Sequence, residues 1–116
     1  MTLKAYESAQ RIAEEPRQTE YRLFGQVTSA LINAQKTKAT GGPLIEALDW
    51  NRTMWHTLAT DCMEDGNKLP DQLRANIISI SLWVTRYSKD VARKGASLDP
   101  LISVNRSIME GLRGQV

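Results

Sequence analysis

Residues 70–94 read PDQLRANIISISLWVTRYSKDVARK, and this stretch decides the fold. Leu73, Ile77, Ile80, Val84, Tyr87 and Val91 recur at steps of 4, 3, 4, 3 and 4. That spacing lines side chains along one face of an α-helix, whereas a half-buried strand would alternate at every second residue. Pro70 stands before the stretch and Gly95 after it. A proline is already set for the first helical turn, and a glycine closes a helix in the left-handed conformation.

The same punctuation recurs on either side. Pro16, Gly41-Gly42-Pro43, Gly66 to Pro70 and Gly95 to Pro100 divide the chain into five predicted helices, about Leu3–Glu15, Pro16–Ala39, Pro43–Asp65, Pro70–Lys94 and Pro100–Leu112. Leu23, Val27, Ala30 and Ala34 mark the second, Leu44, Leu48, Trp55, Leu58 and Cys62 the third, and Leu101, Ile108 and Leu112 the fifth. Asp99 has the chemistry of an N-cap for the last. The first helix offers only a thin apolar edge of Ala5, Ala9 and Ile12, so residues 1–15 are expected to be loosely docked. No run of alternating β-branched residues suggests a strand. The fold class is all-α, and short breaks between long helices favour antiparallel neighbours in a compact bundle of about five helices.

Composition bounds the rest. At 116 residues the chain is expected to form a single domain spanning 1–116, with one core. Hydrophobic residues make up 41% and charged residues 24%, and fifteen Lys and Arg against thirteen Asp and Glu leave +2, too balanced to announce a nucleic-acid partner. Cys62 is the single cysteine and His56 the single histidine, so neither a disulfide framework nor a multi-cysteine or two-histidine metal site can form within the chain. The longest apolar run, Ile77 to Val84, is far short of the roughly 20 residues of a membrane span. Met1 to Glu15 lacks a continuous hydrophobic segment, and a cytoplasmic location is expected. Cys62 lies on an apolar stripe, where a thiol is inert, and Gly41-Gly42 has none of the flanking residues of a phosphate loop. We find no catalytic constellation, cofactor motif, metal site or small-molecule substrate signature, and expect no enzyme.

Two helices carry more apolar surface than one stripe needs. Ile78 and Leu82 point away from the Leu73–Val91 line, Trp83 projects from a flank, and Trp50 and Met54 lie off the Leu44–Cys62 line. Either these helices are central and touch neighbours on both sides, or the five residues form a groove for a partner's amphipathic helix. Among polar residues, Asn51 and Asn105 interrupt apolar stripes, and a buried amide must find partners or cost about 1–3 kcal/mol. They are expected to fix helix register. Arg74 sits early in its helix, against the dipole, so a clamp to Asp61 across the Gly66–Pro70 turn is expected. Arg86, Lys89, Arg93 and Lys94 gather near a helix C-terminus, where the dipole already favours cations. They form a basic cluster without stacking aromatics or a glycine clamp, so direct nucleic-acid binding is not expected.

Taken as blocks, these residues resemble one family. NKLPDQLRANIISISLWV at 67–84 is similar to the LPxxLRAxLISIxLWV core of the FlaF flagellar biosynthesis regulators of alphaproteobacteria. ALDWNRTMW at 47–55 followed by Asp61 resembles a second block, and PLISVNRSIMEGL at 100–112 resembles the closing one. Ser81 stands where a glycine is common, and residues 85–99 follow no firm pattern. The resemblance implies a small cytoplasmic protein that promotes flagellin production and filament assembly after transcription, in functional opposition to FlbT, a regulator associated with flagellin messenger RNA. The mechanism it favours is that of a secretion chaperone for flagellin, whose amphipathic ends need an apolar cradle before they polymerise. The alternative is an RNA-linked regulator that acts with FlbT on flagellin message through Arg86, Lys89, Arg93 and Lys94.

Overall fold

The computed structural model describes residues 16–113. Within them the chain forms α1 (Pro16–Lys36), α2 (Gly41–Cys62), α3 (Asp71–Lys94) and α4 (Asp99–Arg113). The architecture is all-helical, with four helices in the described residues rather than five; the helix expected over Leu3–Glu15 lies outside them. α1 packs on α2 and on α4, α2 forms its broadest interface with α3, and α3 and α4 touch lightly. No described helix is long and apolar enough to cross a membrane.

The helix ends show which local rules operate. α1 stops before its glycines: Lys38 adopts a left-handed φ of 53°, the Ala39 N–H donates to the Ala34 carbonyl at 2.9 Å and the Lys38 N–H to the Gln35 carbonyl at 3.2 Å. This pair of bonds is the Schellman closure, built here on a lysine where a glycine is usual. Gly41, expected to end the preceding helix, instead opens α2 with φ 58°. Gly95 behaves as expected, capping α3 at φ 69°. The prolines do not share one position, since Pro70 is the N-cap residue of α3 while Pro43 and Pro100 lie inside the first turns of α2 and α4. Asp99 is likewise the first helical residue and not the cap, because the first helical bond runs from the Ile102 N–H to the Leu98 carbonyl. The Asp99 N–H is met by Ser97 Oγ at 3.1 Å, and its carboxylate accepts from Gln35 of α1.

The buried faces are rotated slightly from the predicted stripes. α3 buries Ile77, Ser81, Val84, Ser88 and Val91, whereas Leu73, Ile80 and Tyr87 are half-buried. Two serines on that face leave room for close approach, and Ser88 satisfies its hydroxyl by donating to the Val84 carbonyl at 2.7 Å. On α1 the core residues are Phe24, Val27, Thr28, Leu31 and Ala34, with Leu23 and Ala30 displaced to the margin. The centre is Trp55 of α2, fully buried and met edge-on by Phe24 with ring centroids 5.3 Å apart.

A polar knot is set into this centre. Trp55 Nε1 donates to Asn105 Oδ1 at 2.7 Å. Asn105 Nδ2 donates to Asn51 Oδ1 at 2.8 Å and to Thr28 Oγ1 at 3.1 Å, and the Thr28 hydroxyl donates to the Phe24 carbonyl at 2.7 Å. The order is forced from one end: an indole can only donate, so the amide oxygen of Asn105 must face it and its nitrogen must face the other two. Asn51 Nδ2 is left buried with no hydrogen-bond partner among the described residues. Both asparagines are fully buried, and together the four side chains tie α1, α2 and α4.

Candidate functional site

The α1–α2 hairpin leaves an open trough along its outer side. From α1 it is lined by Glu20, Leu23, Ala30, Asn33, Ala34 and Thr37. From α2 come Pro43, Glu46, Trp50, Met54, Leu58 and Asp61. Both sets follow helical spacing, so the trough runs parallel to the helices for about 27 Å at 1.5 Å per residue. It consists of two hollows of about 400 and 380 Å³ that meet at Trp50. The indole of Trp50 is 44% exposed, and Met54 is half-buried against the core. Three carboxylates stand among the described lining residues, Glu20, Glu46 and Asp61, and no lysine or arginine is among them.

Of the five residues proposed from sequence as one groove, the trough takes two. Trp50 and Met54 share the trough, but Ile78, Leu82 and Trp83 are absent from its lining. At about 100° per residue, Ile78 and Leu82 fall on one flank of α3 and Trp83 on the opposite flank. Thr85, on the Ile78 flank, borders a further hollow of about 300 Å³ with Arg52, Thr53 and His56 of α2, and Thr53 also lines the trough. Leu82 is 65% exposed, while Ile78 is half-buried against the core. Trp83 stacks on Tyr87 at 5.0 Å and 19°, and Tyr87 donates its hydroxyl to the Ser97 carbonyl at 2.6 Å. That pair braces the turn into α4. Burial, then the neighbouring carboxylates Asp90 and Asp99, raises the Tyr87 hydroxyl above the ordinary tyrosine value of 10.0.

The clamp expected between Arg74 and Asp61 takes another form. Arg74 Nε donates to the Cys62 carbonyl at 2.9 Å and its guanidinium reaches the Glu64 carbonyl at 3.2 Å, with Asp71 at 3.6 Å. It thus caps the C-terminus of α2, where the helix dipole attracts a cation. Asp61 turns instead to Asn67 Nδ2, at 3.0 Å. Cys62 is buried and His56 exposed. Among the described residues no three His, Cys, Asp or Glu side chains are grouped to hold a metal ion.

Sequence reasoning overlooked the α1 side of the trough and its carboxylates. The signal was the width of the apolar arc on α1, where Leu23 and Ala30 add to Phe24 and Leu31. Of the basic cluster, Arg86, Lys89, Arg93 and Lys94 are all exposed, and Lys94 pairs with Asp90 at 3.7 Å.

Searches of curated proteins and of solved structures each return no match. A comparison with family models, however, matches residues 2–112 to the flagellar protein FlaF. That span takes in all four helices except the last residue of α4, the knot of Asn51, Trp55 and Asn105, and both walls of the trough, so by sequence the chain belongs to the FlaF family of flagellar proteins.

Proposed function

We propose that this flagellar protein is a non-enzymatic, cytoplasmic factor that binds flagellin after its synthesis and keeps it competent for export. The observation that carries the reading is the exposed apolar trough centred on Trp50, in a family whose work is flagellar. Flagellin segments that become helical only in the filament expose apolar faces beforehand, and a helix-in-groove contact is the natural way to cover them. The aromatic anchor and the adaptable Met54 beside it suit that task. Leu82, with Ile78 beside it, offers a second apolar surface on α3, suited to another partner such as FlbT.

The test is copurification of the tagged protein with each flagellin and with FlbT, before and after ribonuclease. Flagellin retained through ribonuclease treatment is the expected result, and its absence from both eluates overturns the reading. A second reading is favoured by the exposed cations Arg86, Lys89 and Arg93 on α3, for which an RNA-linked regulator acting with FlbT would have use. It predicts association that ribonuclease abolishes and that falls steeply with salt.

A further inference from the structure

We infer that the α1–α2 trough selects its occupant by charge as well as by apolarity, and that the occupant is an amphipathic helix carrying lysine or arginine beside its apolar face. The inference rests on the trough being the binding site proposed above and states the chemistry of what fills it. Leu23, Met54, Leu58 and the exposed Trp50 give the lining its apolar part, interrupted by Asn33, Thr37, Thr53 and Thr57. Among the described lining residues every charged side chain is acidic, and Glu46 toward one end and Asp61 at the other give the lip its sign. This local sign opposes that of the whole chain, which carries +2. A carboxylate beside a low-dielectric wall attracts a cation more strongly than one in open water, and like charges brought together there repel. A helix whose flanks are acidic is therefore refused, while one with basic flanks places its cations against the lip. The length of the trough, about 27 Å, suits about 18 helical residues, or five turns. Trp50 stands where the two hollows meet, so the middle turn of such a helix rests on the indole.

Two labelled synthetic peptides of about 18 residues test this against the full-length protein. Both carry the same leucine and isoleucine face; one has lysines beside it, the other glutamates. The lysine peptide is expected to bind at least about tenfold more tightly, with the advantage shrinking as salt screens it. Trp50→Ala, and separately the pair Glu46→Lys with Asp61→Lys, each weaken the lysine peptide by about tenfold or more at unchanged helical circular dichroism, while Leu82→Ser leaves it unaltered. Equal affinity for the two peptides, no binding of either, or binding indifferent to both sets of substitutions overturns the inference. Flagellin capture is measured on the same variants. Capture that persists after the peptide test has failed rejects the acidic lip and leaves the flagellin reading standing. Peptide selectivity without flagellin capture rejects the flagellin reading alone.

Discussion

Asn105 is the junction of the polar knot in the core. Its amide accepts from Trp55 and donates to both Asn51 and Thr28, so three helices depend on one planar group. Replacing Asn105 with alanine strands the indole N–H and the Asn51 oxygen inside the core. We expect a loss of about 3 kcal/mol, measured by urea unfolding. The sequence showed Asn51 and Asn105 as amides on apolar faces, and both are fully buried. It gave no view of Thr28, because a threonine is ordinary on either face of a helix, nor of Trp55 as the group that sets the polarity. Tyr87 supplies a pH signature. Its hydroxyl titrates above 10.0 in the folded state, so the protonated form is favoured by folding and stability is full below that value. Stability falls as pH rises through the raised value. Tyr87→Phe should flatten this alkaline decline in melts recorded from pH 9 upward; an unaltered decline would assign it to other groups.

Elements, more than residues, decide how the turns are built. Arg74 reaches back to the Cys62 and Glu64 carbonyls, joining α3 to the end of α2. Arg74→Met is expected to cost about 1–2 kcal/mol, because its charge-assisted bonds to the Cys62 and Glu64 carbonyls are lost. Asp61→Asn should stay within about 0.5 kcal/mol, since Asp61 faces Asn67 and the neutral amide keeps an acceptor for it. Equal losses for the two variants would restore the direct ion pair. Lys38 makes the opposite case. A side chain in the left-handed region is strained, so Lys38→Gly should raise stability by about 1 kcal/mol, read as a higher melting temperature. Helices α3 and α4 were legible nearly to the residue, because Gly95 obeys the local rule for a helix stop and Pro100 the rule for a first turn, although the cap expected at Asp99 falls one residue earlier. The end of α1 was not, since glycines at 41 and 42 advertised a later stop than the one Lys38 enforces.

At the scale of the molecule, cohesion and contact surface are separable. Ile77 is fully buried and Leu82 is 65% exposed on the same helix. Ile77→Ala is expected to cost about 3 kcal/mol, and Leu82→Ser to stay within about 0.5 kcal/mol in the same unfolding assay. A large effect at Leu82 would mean that its surface is covered in the free protein. The all-helical class was readable from spacing alone, but the trough was not. Periodicity reports which side chains turn away from water, while only the placement of neighbours reveals which apolar strips stay uncovered. Spacing therefore places Leu23 and Ala30 on the apolar stripe and leaves Trp83 open between a second packed face and a groove, whereas in the fold it stacks on Tyr87. The turn joining α1 to α2 has a consequence for tuning. Two residues within it, Lys38 and Gly41, hold left-handed backbone angles, and they set how far apart the two walls begin. A change at Lys38 or Gly41 would re-space the whole cleft without altering a single atom of its lining, so grip on a guest could drift through variation at two positions that do not line it.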